Sequence, residues 1–265
     1  MSIDSLINAD SSRYLLSKVL QTQLGNCGIL CSCEQLVWLA SGFKASGANV
    51  VISSASNKRL RLMEWMAKMA WPCAWLLWPD QEKNEQRAEL NRFGFSCAQG
   101  LAQMSMGSDL VPPRISCYKG LIPCEIRVAN CSDLRGLVRH YKILHSIPEN
   151  YACQVAKAHL GADRQNVCCT WVAVHRPKIL SAITAYRFGS LGLISWLATC
   201  PSARRQGIGS SLILHALNYL RDGGVNRIEL HAVSEATRLY QEVGFTKEYD
   251  VELWIHPGLT KMKSD

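Results

Sequence analysis

The 265-residue sequence predicts an α/β (α+β) protein made of two units, and three observations predict it. Over the second half of the chain, runs with strand and helix periodicity follow one another in the order β-α-α-β-β-β-α-β-α-β. A stretch rich in Gly and Pro at Met104–Cys124, poor in helix formers, separates that half from the first. A short pattern of apolar helix, Gly-Phe and strand occurs once in each half, at Ala88–Phe95 and at Leu239–Phe245, as expected if one fold is present twice.

The second half opens with the alternating run Cys124–Ala129, a strand. Ser132 is placed to cap a helix carrying Leu134, Leu137, Val138 and Tyr141 at helical spacing, and a second helix follows Pro148 to Leu160. Strands are predicted at Val167–Val174 and Ile179–Phe188, joined by a turn at 176–178, and at Leu191–Thr199, stopped by Pro201. A helix with Leu212, Ile213, Ala216, Leu217 and Leu220 on one face then runs to Gly223-Gly224. A strand at Arg227–Val233, a short helix at Glu235–Glu242 and a last strand at Phe245–Ile255 complete the half. In the first half, helices are predicted at Ser11–Leu24 and Lys58–Met69, and strands at Asn49–Ser53 and Ala74–Trp78.

Composition narrows the function. Hydrophobic residues make up 48% and charged residues 19%, which suits a globular chain with a sizeable core. The apolar runs, such as Trp71–Trp78, fall short of the roughly 20 residues that span a bilayer, and no basic-then-apolar leader opens the sequence. A cytoplasmic protein with no membrane association is expected. The net charge of +8 suits anionic ligands but is too dispersed to mark a nucleic-acid face. The 12 cysteines read as reduced, partly buried small hydrophobes. Cys27, Cys31 and Cys33 form one tight group without a fourth ligand at compatible spacing, so no metal is expected.

The most informative segment is Arg204-Arg205-Gln206-Gly207-Ile208-Gly209, an R-x-x-G-x-G loop between a strand and a long helix. Two glycines allow the backbone to approach an anion closely, and the helix adds unpaired N–H groups and the positive end of its dipole. Gly209 is followed by Ser-Ser rather than the Lys-Ser/Thr of a nucleotide-binding P-loop. The acidic ribose partner of a dinucleotide fold is also missing about 20 residues on.

The order and spacing of Trp196–Pro201, Arg204–Gly209 and Arg238–Phe245 resemble those of the GCN5-related N-acetyltransferase (GNAT) family. Leu230–Tyr240 is similar to the compact connection of a tandem-domain subgroup, and Trp75–Asp80 with Ala88–Phe95 resembles the N-terminal domain of that subgroup. The resemblance implies two GNAT-like domains, each a mixed, mostly antiparallel twisted sheet flanked by helices. Residues 1–120 would be a degenerate N-terminal copy, with no R-x-x-G-x-G and Leu90 where the other copy has Tyr240, and residues 121–265 the catalytic domain.

The same resemblance implies acetyl-CoA as cosubstrate. The amides of Gln206, Gly207, Ile208, Gly209 and Ser210 would hold the pyrophosphate, with Arg204 or Arg205 adding a charge-assisted contact. The pantetheine arm would lie along Leu197, Ala198 and Thr199, with an N–H near Leu197 facing the thioester oxygen. Tyr240 matches the position of a tyrosine that protonates the departing thiolate, and packing beside Phe245 is the other role open to it. Glu229, His231 and Glu235 are candidates for the general base, and none is assigned. The expected activity is acetyl transfer to a primary amine by direct attack in a ternary complex, on a small-molecule or peptide acceptor. A catalytically silent acyl-CoA-binding or scaffolding module is the alternative. Either a monomer or a homodimer fits.

Overall fold

The computed structural model describes residues 11–24, 29–33, 36–41, 48–53, 59–68, 72–79, 83–107, 122–162 and 167–258. Two compact units divide the chain, Met1–Ala102 with Tyr249–Asp265 and Gln103–Glu248. This partition differs from the expected one at residue 120. The predicted linker begins inside a strand, β5 (Ser96–Gly107), because extended pairing tolerates the small residues that disfavour a helix there. Residues 108–121 lie outside the described residues. The last strand of the chain also belongs largely with the first unit.

The first unit contains α1 (Ser11–Leu24), β1 (Ile29–Cys33), β2 (Leu36–Ala40), β3 (Asn49–Ser53), α2 (Arg59–Ala67), β4 (Cys73–Leu77) and α3 (Lys83–Arg92). It is completed by residues 96–102 of β5 and residues 249–256 of β11 (Thr246–His256). β1, β2 and β3 form an antiparallel meander, β3 and β4 are parallel, and β11 pairs antiparallel with β4, Glu252 opposite Leu77. The β1–β2 hairpin is absent from the sequence prediction. Its first strand contains Cys31 and Cys33, and Cys27 lies outside the described residues. Among the described residues no cluster of three or more His, Cys, Asp or Glu could hold a metal ion. The core gathers Met63, Met66, Trp75, Leu77, Leu90, Phe95 and Trp254, with Trp75 edge-on to Phe95. At its margin, Glu252 accepts from Arg87 Nε at 3.1 Å and from Trp254 Nε1 at 3.0 Å, with Lys83 Nζ 3.0 Å away. These donors, Arg87 first, hold its carboxyl down at about 2.

The second unit runs β6 (Glu125–Val128), a 3₁₀ turn (Cys131–Asp133), α4 (Leu134–Leu144), α5 (Glu149–Ala162), β7 (Cys168–His175), β8 (Lys178–Phe188) and β9 (Leu191–Thr199). A second 3₁₀ turn (Pro201–Ala203), α6 (Ile208–Asp222), β10 (Arg227–Val233) and α7 (Ser234–Glu242) follow. The element order matches the sequence prediction, and the sheet is mixed and mostly antiparallel as expected. β6 to β9 are successively antiparallel, and β9 and β10 are parallel. Asn130, rather than Ser132, caps the first helical segment. Its side chain accepts from the Ser132 N–H at 2.9 Å, and the Asp133 carboxylate returns to the Asn130 N–H at 2.9 Å.

Helices cover both faces of this sheet. Directly opposed residues of an antiparallel pair share a face. Trp171, opposite Ile183, meets Tyr219 of α6, whereas Thr184, opposite Thr170, meets His159 of α5. α6 buries Leu212, Ile213, Ala216, Leu217 and Leu220 completely, the stripe its spacing predicts. No described helix is long and apolar enough to cross a membrane.

The Gly-Phe echo has a physical cause. At the end of α3 the Phe95 N–H reaches Leu90 O at 2.9 Å and Gly94 N–H reaches Asn91 O at 3.0 Å. At the end of α7 the Phe245 N–H reaches Tyr240 O at 3.0 Å and Gly244 N–H reaches Gln241 O at 3.0 Å. Both are Schellman stops, with Gly94 and Gly244 at φ +82 and +102. α6 ends the same way, Val225 N–H on Leu220 O at 3.0 Å, so the motif alone is a helix stop and not a sign of duplication.

Candidate functional site

The site is built where β9 leaves its parallel neighbour. β9 pairs with β10 only from Leu191–Arg227 to Leu193–Glu229, although β9 continues to Thr199 and β10 to Val233. Beyond Leu193 no strand among the described residues pairs with the edge of β9 that faced β10, while its other edge stays paired with β8 as far as Ser181–Thr199. The register with β8 breaks in this stretch. Ala182 opposes Ala198 and Thr184 opposes Ser195, so Trp196 and Leu197 together face Ile183 in a β-bulge. Trp196 takes φ +59, a left-handed conformation that costs a side-chain-bearing residue about 1–2 kcal/mol.

The strand then feeds the loop. Arg204 lies exposed with its Nε on Thr199 O at 3.0 Å, and exposed Arg205 turns left-handed at φ +62. Gln206 Nε2 reaches back to Ser202 O at 3.5 Å. Gly207 sits at φ +80, ψ 0 as the residue before α6, a conformation that favours glycine. The first amide of this segment to find a carbonyl is Ser211, on Gly207 O at 3.0 Å. Among the described residues no acceptor meets the N–H groups of residues 205–210. A row of unpaired donors thus lies at a helix N-terminus.

Gly209 brings three elements together. A Cβ there would stand 3.7 Å from Thr199 Oγ1 on β9 and 3.8 Å from Leu239 Cδ2 on α7, ordinary contact distances. The protein itself leaves room for a methyl group at Gly209. Next to Leu239 on α7 is Tyr240, whose ring lies edge-on to Phe245 with centroids 5.8 Å apart. Packing beside Phe245 is therefore observed. Burial pushes the Tyr240 phenol well above its ordinary range, so it holds its proton at physiological pH.

The three base candidates separate. Glu229 is fully buried and engaged, one oxygen on Arg227 Nε at 2.6 Å and the other on Gln103 Nε2 at 2.9 Å. His231 is held near 4 by burial. Glu235 is exposed in the first turn of α7.

The sequence reading missed an aromatic and histidine cluster beneath the bulge. Tyr141 and His159 rings lie 5.0 and 5.7 Å from the Trp196 ring, and His145 lies 4.7 Å from it. Tyr141 OH meets His159 Nδ1 at 2.8 Å, and Tyr186 OH meets the other ring nitrogen at 2.5 Å. His140 Nε2 donates to Ala198 O at 3.2 Å, which places the ring's lone pair on Nδ1, buried and unpartnered. His145 Nε2 is likewise buried and unpartnered. Burial holds His140 and His145 at about 4 and His159 at about 3, with His140 adding to the effect at His145. These residues come from α4 and its cap, α5, β8 and β9 at separations of no recognisable motif, and only the spacing of His140 and His145 offers any sequence signal.

Residues 137–245 match the model of the acetyltransferase (GNAT) family. No curated protein matches the chain. Among solved structures, a GCN5-related N-acetyltransferase from Kribbella flavida is similar at TM-score 0.62 and 12% identity, covering 93% of this chain and 96% of its own. One from Sphaerobacter thermophilus gives 0.60 and 15%, covering 84% and 82%. A tandem GNAT protein from the clavulanic acid biosynthesis pathway gives 0.58 and 11%, covering 98% and 97%. At these identities the likeness is one of fold.

Proposed function

Since residues 137–245 match the model of the acetyltransferase (GNAT) family and the fold is shared with a tandem GNAT protein, we propose that the chain transfers an acetyl group from acetyl-CoA to a primary amine in a ternary complex. The observation that carries this reading is that a strand edge without a neighbouring strand among the described residues runs directly into a row of unpaired amides. The edge is that of β9 beyond Leu193, and the amides are those of residues 205–210. Acetyl-CoA has the complementary parts. Its pyrophosphate would take the amides of Gln206, Gly207, Ile208, Gly209 and Ser210, with Arg204 or Arg205 at the rim. Its pantetheine amides would pair with Leu197, Ala198 and Thr199.

In the reaction the amine nitrogen attacks the thioester carbon and the carbon–sulfur bond breaks. The oxygen that gains charge would take a hydrogen bond from the Leu197 N–H. The sulfur would take the proton of Tyr240, which burial keeps protonated. The proton lost by the amine passes to solvent water, from which Tyr240 regains the one it gave to sulfur, and the engagement of Glu229 by Arg227 and Gln103 argues against that carboxylate as the receiver. The first unit has no R-x-x-G-x-G sequence, and a leucine, Leu90, stands where Tyr240 does in the corresponding helix stop, so we infer one reacting centre per chain, with the first unit a degenerate copy. The acceptor in this reading is a small molecule or a peptide.

Isothermal titration with acetyl-CoA and coenzyme A, followed by thiol release across a panel of amines, tests this reading. Binding of both with acetyl transfer to at least one amine supports it. Binding without transfer favours the silent acyl-CoA-binding or scaffolding module, and no binding removes both.

A further inference from the structure

Trp196 stands where a bulge with its first residue left-handed ordinarily has glycine. It is the largest of side chains in a conformation that favours the smallest, and such an outlier persists only when its surroundings over-determine it. Those surroundings are specific. Helix α4 ends at Leu144 with His145 as its cap, and the next residue, Ser146, is itself left-handed at φ +51, which turns the chain away after His145. The His145 ring then lies on the Trp196 ring at 4.7 Å, 66° from coplanar. Tyr141, one turn earlier, meets the same ring at 5.0 Å and is itself tied to His159 by the 2.8 Å hydrogen bond. His159 is fixed from its other side by Tyr186 of β8. His140 holds the strand just beyond, through Ala198 O.

We propose that Trp196 is a positioning residue, and that His145 and the Tyr141–His159 pair clamp its ring so that the strand keeps its bulge and the Leu197 N–H stays out of the β8–β9 ladder. This rests on the coenzyme reading above for the identity of what the Leu197 amide meets. Released from the clamp, an L-residue at 196 would return to the extended region, and a one-residue change of register turns every following side chain and amide to the other face. The edge of β9 beyond Leu193 would then present the wrong groups to a thioester, while the loop at 205–210 would be untouched.

Two substitutions separate this from ordinary packing. Trp196→Ala removes the ring and leaves a residue that avoids positive φ. Trp196→Gly removes the same ring but favours the bulge conformation by itself. Titrations with acetyl-CoA and with coenzyme A give the preference for the thioester, expected at about 2–10-fold in the wild type if one hydrogen bond supplies it. Trp196→Ala should abolish that preference while coenzyme A still binds within about twofold. Trp196→Gly should retain it, and His145→Ala should weaken it without removing coenzyme A binding. A side chain that only fills space would give equal losses in the alanine and glycine variants, and that result overturns the clamp.

Crystal structures of the two Trp196 variants supply the arm that needs no ligand. Residue 196 should leave the left-handed region in the alanine variant and stay in the glycine variant. A positive φ kept by alanine overturns the clamp whatever the titrations give. If the wild type binds neither compound, the coenzyme reading fails, and the backbone comparison still decides whether the rings set the bulge.

Discussion

Leu90 and Tyr240 hold the same place in two copies of one helix stop. Each offers its carbonyl to the amide of a phenylalanine five residues on, at 2.9 and 3.0 Å, and only the second carries a hydroxyl. Tyr240 therefore has a packing duty that its ring discharges against Phe245 and a separate capacity that the hydroxyl alone provides. Tyr240→Phe divides them. Thermal stability and acetyl-CoA affinity should be unchanged, and kcat should fall on the order of 100-fold, the lower range for a lost general acid. Unaltered turnover in a thiol-release assay would leave Tyr240 as a packing residue only.

The two loop glycines should fail differently. Gly207→Ala forces a side chain into φ +80 and should lower stability by about 1–2 kcal/mol in thermal or urea unfolding. Gly209→Ala adds a Cβ with no contact under 3.7 Å, so the melting temperature should stay the same. Its methyl would instead stand in the path of a bound pyrophosphate, and coenzyme A affinity should drop about tenfold or more by calorimetry. Normal affinity in Gly209→Ala would refute the loop as the pyrophosphate site.

Glu229→Gln should act on folding rather than on chemistry. The carboxylate is completely buried between Arg227 and Gln103, and loss of its charge weakens a charge-assisted hydrogen bond. We expect a loss of about 1–2 kcal/mol in unfolding free energy with kcat within about twofold at saturating substrates. A folded, stable variant with a collapsed kcat would instead make Glu229 the base.

Acid should destabilise the chain in two overlapping windows. His140, His145 and His231 have folded values near 4, and His159 near 3, below the ordinary 6.5. The unfolded chain therefore binds protons first, and their contribution is complete above about pH 6.5 and lost as pH falls toward 4 and 3. Glu252 in the first unit is depressed to about 2, so its contribution is complete above about 4.5 and lost between there and 2. Melting temperature against pH should begin to fall just below 6.5. The His159→Gln variant should show a shallower fall between 6.5 and 4, and an unchanged slope would count against burial of a neutral imidazole.

The sequence made some features legible because local chemistry determined them. The strand ended by Pro201, the left-handed Gly207 and the apolar stripe of α6 are all set within a few residues of chain, and each lies where it was expected. The first 3₁₀ turn was assigned to the wrong cap because Asn130 and Ser132 are both good acceptors, and the choice depends on Asp133 returning to the Asn130 amide. The β1–β2 hairpin was illegible because the sequence between Cys33 and Leu36 offers no glycine, asparagine or proline, and the predicted linker overlaps β5 because Gly107 and Ser105 carry little strand propensity. The cluster under Trp196 was invisible for a different reason. Its members lie on α4, α5, β8 and β9, and only the folded sheet brings them to one ring.

The pairing of β11 with β4 sets an order of events in the cell. β4 ends at Leu77, and its antiparallel neighbour, from Glu252 to His256, is translated only after the entire second unit. At the usual 5–20 residues per second the ribosome needs roughly ten seconds or longer to deliver that neighbour. During this interval β4 lacks its β11 neighbour, and an unpaired strand edge is a template for pairing with another chain. Completion of the first unit's pairing at β4 thus follows synthesis of the second unit, which lies between its two parts along the chain.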